Sequence, residues 1–259
     1  MCGMHIGRLR VQLDDDSISM IYNMGAGRSD SPAPVPDIEA LKPMKEVGPF
    51  GIFVAIEPED LDLYRQLLPE NFTMPGKPVL SLINLDYNGP ASSIARYSEG
   101  MVMLRGVGKD GEEAWYVHSM PVEKWQMLIM GHDWGFRKDL FDMTITPEKT
   151  TVMQRDGEFY MSLELTSDSW PADADGIVPL EHCGGTNNMA VIYPKRPDTI
   201  LRFGWTGKGM ALDEDKKMVK ITVNRDLEWA GLVPEGTTAP GRYLRYTVGG
   251  GESYIKKVR

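Results

Sequence analysis

The side chains best suited to catalysis lie in one short stretch, residues 131–140, which reads GHDWGFRKDL and follows the apolar run 127–130. It holds two cations, two anions, a histidine and two aromatic residues beside two glycines. A lysine flanked by aromatic and apolar residues loses solvation, and desolvation favours its neutral amine. A neutral amine attacks carbonyl carbons and forms a Schiff base, which is an electron sink for breaking a neighbouring bond. The alternative is that Lys138 lies on a solvated loop and pairs with Asp139 or Asp142, because most lysines are exposed.

This stretch resembles the active-site segment of the acetoacetate decarboxylase family, which runs as Gly-Arg-Glu, a short spacer, an aromatic residue and then Pro-Lys-Lys. The first lysine of that pair is the family's Schiff-base residue, and its position falls on Lys138. Here Arg137 replaces the proline, Asp139 replaces the second lysine, and residues 131–133 replace Gly-Arg-Glu. The resemblance implies that Lys138 is the nucleophile. Asp139 is neutral to that chemistry if it points outward, as adjacent residues on a strand do.

A second segment, residues 97–100 (YSEG), is similar to a Tyr-Thr-Glu segment of the same family, whose glutamate lies in the active site. The resemblance implies that Glu99 is a second catalytic residue. A carboxylate beside a Schiff-base lysine orients water, moves a proton or stabilises the iminium. The alternative is a solvated turn glutamate. His132 and Asp133 are further catalytic candidates, as acid or base in place of the family's Arg and Glu, and a structural hydrogen bond is equally open for His132.

The candidates for substrate binding are two aromatic residues, Trp134 and Phe136, and two cations, Arg96 and Arg137. The family has an arginine just before its opening helix, but this chain reads Ile-Glu-Pro at 56–58. Losing one charge-assisted hydrogen bond weakens the binding of an anionic substrate by about 1.5–3 kcal/mol. We therefore expect slow turnover of acetoacetate. An aromatic or extended carbonyl substrate is expected to react faster, because aromatic side chains offer a large apolar surface.

Composition limits the partners. The chain has 259 residues and a formal net charge of −9, which argues against a nucleic-acid-binding surface and favours a small-molecule partner. No apolar run has the length of a membrane span and no signal peptide is visible, so we expect a cytoplasmic protein without a membrane partner. The two cysteines and four histidines lack metal-ligand or disulfide spacing, and no nucleotide-binding glycine fingerprint occurs. The sequence predicts neither a metal nor a cofactor.

The pattern of elements predicts two regions. Residues 1–47 form an N-terminal arm with a proline-rich linker, and residues 48–259 form one domain. A strand at 50–56 precedes a helix at 58–68, and this unit (DLYRQLLPENF) resembles the opening unit of the family. The remainder is mostly strands, with hairpin turns at 108–111 and 155–157. Further helices are predicted only at 121–130 and 226–232.

These patterns predict an α+β, mostly antiparallel β fold. The resemblance implies a central β-barrel with a few helices, an assembly into homo-oligomers, and an enzyme of the lyase class from the acetoacetate decarboxylase-like superfamily. Its members decarboxylate, or catalyse aldol, retro-aldol or dehydration steps, on small keto or aldehyde substrates through the lysine. Two alternatives stay open: a non-catalytic ligand-binding relative, and an imine-free acid–base enzyme that uses Glu99, His132 and Asp133 in the same pocket.

Overall fold

The computed structural model describes residues 10–14, 17–21, 49–87, 97–171, 188–205, 209–248 and 253–258. These residues form two α-helices, α1 (Leu61–Leu67) and α2 (Trp125–Asp133), and a 3-10 helix at Ala230–Leu232. They also form fifteen strands: β1 Arg10–Asp14, β2 Ser17–Ile21, β3 Phe50–Ile56, β4 Phe72–Thr73, β5 Leu80–Tyr87, β6 Tyr97–Gly108, β7 Glu113–Val122, β8 Lys138–Ile145, β9 Lys149–Gln154, β10 Phe159–Ser169, β11 Met189–Ile192, β12 Ile200–Trp205, β13 Gly209–Val223, β14 Thr238–Val248 and β15 Ser253–Val258.

Nine of these strands are joined by pairings that close on themselves. The order is β7, β8, β9, β10, β13, β14, β3, β5 and β6, and β6 pairs again with β7. Eight of the nine pairings are antiparallel, and the β7–β8 pairing is parallel. On the edge of β7 away from β6, two strands pair one after the other. β11 pairs in parallel with the first half of β7, and β8 pairs with its last three residues. From β11 the sheet continues through β12 and β15 to the β2–β1 hairpin.

Alternating side chains divide the core into two clusters. Along β6, Val102 and Leu104 belong to a cluster that also contains Tyr64 of α1 and Trp229. Successive residues of a strand face opposite sides of a sheet, so the neighbours of these two residues on β6 pack on the other face. That face carries the second cluster, which we call the Met101 cluster. Its buried members include Phe53, Tyr97, Met101, Met103, Trp115, Val117, Met120, Val122, Leu244 and Tyr246.

One irregularity in β7 sets the register of the site. Val102 pairs with Ser119 and Met103 with Val117, so His118 is an extra residue in β7. Such a β-bulge shifts the alternation of side chains by one position. As a result Val117 and Met120, three residues apart, both lie in the Met101 cluster.

The prediction of a mostly β protein with few helices is confirmed, and so are both hairpin turns. The predicted helix at 121–130 begins later, at Trp125, because residues 121 and 122 still belong to β7. The predicted helix at 226–232 is only the three-residue 3-10 helix. Residues 10–21 of the predicted arm include the β1–β2 hairpin, whereas its proline-rich linker lies outside the described residues, and the division into arm and domain stays a prediction. No helix in the described part of the chain is long and apolar enough to cross a membrane.

Candidate active site

Lys138 and Glu99 form a buried ion pair. Lys138 is the first residue of β8 and Glu99 lies near the start of β6, with β7 between the two strands. The Lys138 Nζ donates to Glu99 Oε2 across 2.7 Å, and the two side chains are only 9% and 5% exposed. A charge-assisted hydrogen bond of this length is among the stronger contacts in proteins. The structure thus brings together the two residues at the centre of the sequence prediction.

Apolar and aromatic groups surround this pair. Met120 pairs directly with Lys138 across the parallel ladder and belongs to the Met101 cluster. The Lys138 Nζ lies 5.7 Å from the ring centroid of Phe136, a cation–π distance. Phe136 packs on Phe203 with ring centroids 4.8 Å apart, and Trp134 meets Phe203 edge-on at 6.4 Å. These aromatic side chains lower the local dielectric constant, which strengthens a charge pair that they enclose.

Tyr87 completes the contacts of the carboxylate. Its hydroxyl donates to Glu99 Oε1 over 3.5 Å, and its ring stacks on Tyr97 with centroids 4.8 Å apart. Burial, reinforced by Tyr246 and Glu99, raises the pKa of Tyr87 above its usual value, so the phenol stays protonated as a donor. The sequence analysis missed Tyr87. The antiparallel β5–β6 pairing that sets Tyr87 opposite Tyr97, two residues from Glu99, is the signal that would have found it.

The end of α2 holds the backbone of Lys138. The His132 Nε2–H donates to the carbonyl oxygen of Lys138 at 2.6 Å, which fixes the tautomer of the ring. The carbonyl oxygen of Gly131 accepts from the backbone N–H groups of Trp134 and Phe136, at 3.0 and 3.1 Å. His132 is therefore in contact with the main chain of Lys138. Asp133 is the last residue of α2, and its side chain lies outside the described part of the structure.

Arg137 belongs to a different cluster. Its Nη2 lies 3.2 Å from Glu228 Oε1, and the same oxygen lies 2.9 Å from Nε2 of the buried His118. Burial lowers the pKa of His118 and the Arg137 charge adds to that effect, while Glu228 opposes it. The structure therefore does not place the Arg137 guanidinium beside Lys138.

Two other residues near the lysine were in question. Asp139 is exposed, and its charge helps raise the pKa of Tyr160, a member of the first cluster, after the larger effect of burial. Asp139 therefore points to the opposite face of the sheet from Lys138. Arg96, the remaining candidate for substrate binding, falls in residues 88–96, outside the described residues.

Two cavities in the described part of the structure have linings that do not include the pair. One, of about 280 Å³, is lined by Asp86, Ser98, Glu123, Lys124, Met143 and Ile145. The other, of about 240 Å³, lies at the end of β3 and the start of β14. Neither lining includes Lys138 or Glu99. Within the described residues, no three His, Cys, Asp or Glu side chains group to hold a metal.

Comparison with known proteins identifies the fold. No protein-family model and no curated protein matches the chain. Among solved structures, acetoacetate decarboxylase from Legionella pneumophila subsp. pneumophila str. Philadelphia 1 is similar, with 14% identity, a TM-score of 0.60, and coverage of 82% of this chain and 86% of that one. An acetoacetate decarboxylase-like enzyme from Sphingomonas wittichii RW1 shares 13% identity, with a TM-score of 0.57 and coverage of 82% and 91%. The enduracididine biosynthesis enzyme MppR complexed with pyruvate also shares 13% identity, with a TM-score of 0.56 and coverage of 82% and 88%. The chain therefore has the acetoacetate decarboxylase-like fold that the sequence resemblance implied.

Proposed function

We propose that this protein is a lyase that forms a Schiff base between Lys138 and a small keto or aldehyde substrate. The observation that carries the proposal is the 2.7 Å contact between the buried Lys138 amine and Glu99. A lysine is rarely this buried unless it is paired. The pairing also supplies the proton acceptor that a lysine needs before it can attack a carbonyl carbon.

Proton transfer within the pair activates the amine. When the ammonium of Lys138 passes its proton to Glu99, a neutral amine and a neutral carboxylic acid result. In a site of low dielectric constant this neutral pair is less disfavoured than in water, because burial penalises both charged forms. The amine then adds to the substrate carbonyl and gives a carbinolamine. Glu99 returns its proton to the departing hydroxyl, water leaves, and a cationic iminium faces the Glu99 carboxylate again.

The iminium draws electrons from the neighbouring carbon–carbon or carbon–hydrogen bond. Cleavage of that bond releases carbon dioxide, an aldehyde or a proton, and leaves an enamine on Lys138. Glu99 is a carboxylate at this stage, so it accepts the proton lost from carbon, or from a β-hydroxyl group when an aldehyde leaves, and returns it to the enamine; after loss of carbon dioxide the enamine takes its proton from water. Tyr87 keeps the carboxylate oriented from its other oxygen. Hydrolysis of the iminium then frees the product and restores the ion pair.

The imine-free alternative requires His132 as a free acid or base. Its Nε2 donates to the Lys138 carbonyl oxygen, which favours a role in orienting the lysine instead. A non-catalytic ligand-binding protein has no need of a buried amine next to a carboxylate, because a buried ion pair is often no more stabilising than apolar residues of similar volume. The imine mechanism is therefore the better explanation of this geometry.

The proposal extends to the substrate and the assembly. Arg137 contacts Glu228, so this candidate is not placed beside the lysine for a substrate carboxylate. We expect slow decarboxylation of acetoacetate and faster reaction of an aromatic or extended carbonyl compound next to Phe136 and Trp134. The nine-strand cycle is proposed to be the central barrel, and copies of the chain to form a homo-oligomer in the cytoplasm, as the resemblance implies.

Borohydride trapping tests the proposal. The protein is incubated separately with pyruvate, acetoacetate and benzoylacetate, reduced with cyanoborohydride, and mapped by peptide mass spectrometry. We expect an adduct on the peptide that contains Lys138, and none in Lys138→Met. The matched control is Lys149→Met on the next strand, because Lys149 is 49% exposed and pairs with Glu164 at 3.0 Å. That control should trap as the wild type does.

Three outcomes would count against the proposal. Absence of an adduct on Lys138 with every carbonyl compound would overturn the imine mechanism. An adduct that forms equally well in Lys138→Met would assign it to surface lysines. Decarboxylation of acetoacetate at an ordinary enzymatic rate, about 1–1,000 per second, would refute the expected substrate preference and leave the lysine chemistry intact.

A further inference from the structure

The side chain of Lys138 passes directly over Gly131. A Cβ atom built on Gly131 would lie 2.3 Å from Cδ and 2.5 Å from Cε of Lys138. Real Cβ atoms do not come this close to other carbons, so any side chain at this position would have to displace the lysine stem. The close approach involves the middle of the stem, between the backbone and the amine. The position of the amine therefore depends on the absence of a side chain at residue 131.

The backbone of Gly131 does not itself require glycine. The positive φ values found among the described glycines belong to residues 111, 135, 157 and 236. Gly131 lies in the last turn of α2 with helical geometry that an alanine adopts readily. Glycine is unfavourable inside a helix because it loses more conformational freedom on folding than alanine does. Its presence in α2 is thus explained by the contact with Lys138.

The stem of the lysine is confined on several sides. Gly131 lies under Cγ, Cδ and Cε, the Phe136 ring is 5.7 Å from Nζ, and His132 holds the Lys138 carbonyl oxygen. With the backbone fixed and the stem confined, the amine ends at Glu99. If a methyl group displaced the stem, the backbone of Lys138 could not move to compensate, because His132 holds it.

We propose that Gly131 is a positioning residue for the reactive amine. Because Gly131 has no side chain, the stem of Lys138 can pass over it and reach Glu99. The catalytic meaning of this proposal rests on the proposed Schiff-base function, whereas the geometry does not. Gly131→Ala should keep the fold, because alanine suits α2 better than glycine does, although the protein loses the stability that the Lys138–Glu99 contact provides. It should also move the amine away from Glu99 and out of the enclosed site. The reactivity of the Lys138 amine towards acetic anhydride therefore rises while Schiff-base formation falls, which a merely structural glycine would not produce.

The experiment compares wild type, Gly131→Ala and the control Gly76→Ala. Gly76 is exposed, and a Cβ atom there has nothing within 4 Å. Thermal unfolding checks the fold of each variant. Cyanoborohydride trapping with pyruvate then measures how fast the Schiff base forms. Trace labelling with acetic anhydride measures the reactivity of Lys138 without any substrate, with the exposed Lys220 as an internal reference.

We expect Gly131→Ala to unfold cooperatively but at a lower temperature than the wild type, because Glu99 loses its cation, and its trapping rate to fall at least ten-fold. Acetylation of Lys138 should rise at least three-fold relative to Lys220, because the amine leaves its buried ion pair. Gly76→Ala should match the wild type in all three measurements. If Gly131→Ala traps and acetylates as the wild type does, the positioning role is overturned. If the wild type forms no adduct, the proposed function fails, and the acetylation ratio alone supports or overturns the positioning role.

Discussion

Removal of one partner from the Lys138–Glu99 pair should destabilise the protein far more than removal of a surface charge. Lys138→Met keeps most of the apolar stem and removes the ammonium, so Glu99 is left 5% exposed without its cation. Loss of one partner of a buried pair leaves an uncompensated charge and costs about 3–5 kcal/mol. An exposed pair contributes about 0–1 kcal/mol. Because the two side chains are only 9% and 5% exposed, we expect the cost of a buried pair, about 3–5 kcal/mol.

The double variant separates the charge effect from the loss of packing. Lys138→Met combined with Glu99→Gln removes both charges and keeps an acceptor for the Tyr87 hydroxyl. Replacing a whole buried pair by neutral groups is often close to neutral in stability. We therefore expect the double variant to be more stable than Lys138→Met by about 2–3 kcal/mol, the size of coupling found between contacting residues.

Urea unfolding followed by tryptophan fluorescence measures these differences as changes in the free energy of unfolding. For a chain of this size, about 3–5 kcal/mol corresponds to a lower Tm by roughly 6–20 °C. The control is Lys149→Met, whose lysine is 49% exposed. If Lys138→Met costs no more than the control, the reasoning from burial is wrong.

Three further predictions concern hydrogen bonds and pH. Tyr87→Phe removes a 3.5 Å contact to Glu99, so we expect a stability loss of about 1 kcal/mol or less and a several-fold slower trapping rate; an unchanged rate would remove Tyr87 from the site. Because the pKa of His118 is lowered in the folded state, the unfolded chain binds more protons just below about pH 6.5, and the free energy of unfolding should decrease as the pH falls through that range. His118→Gln should flatten that slope in urea titrations, and an equal slope would contradict the assignment. In the described part of the chain five tyrosines have raised pKa values, so the unfolded chain loses these phenolic protons first above about pH 10 and stability should fall there. Part of the absorbance rise at 295 nm should coincide with the loss of circular dichroism, and titration of all ten tyrosines while the protein stays folded would contradict burial of these five phenols. These tyrosines are Tyr64, Tyr87, Tyr116, Tyr160 and Tyr243.

Local patterns were sufficient where a strand is an unbroken apolar run or where a glycine marks a turn. The apolar run 50–56 is β3 with the predicted bounds, and glycines at positive φ mark both hairpin turns. In β8 the buried positions Lys138 and Phe141 are three residues apart, so a period of two is not readable from the sequence. Most of β13 likewise lacks a readable strand pattern, because its charged residues 213–217 are not fully buried on either face.

The bulge at His118 explains a further error. A strand read by strict alternation ends at residue 118, whereas β7 continues to Val122 after the extra residue. The apolar residues that follow were then assigned to a helix that began too early. Long-range pairing was equally invisible from local pattern, and it decides that Tyr87 faces Glu99 while Arg137 faces Glu228. Resemblance alone suggested that Glu99 and Lys138 meet.

The number of strands in the closed cycle has a consequence for the lysine. Directions cannot alternate all the way around a cycle with an odd number of members, so nine strands require at least one parallel neighbour pair. That pair is β7–β8. Parallel neighbours cannot be joined by a tight turn and need a crossover, which α2 provides here. The odd number of strands therefore requires a crossover, and its helix α2 ends with Gly131 beside Lys138, the first residue of β8. A relative that gained or lost one strand of the cycle would have to give up this parallel pair or add another, so the size of the cycle and the lysine site are linked.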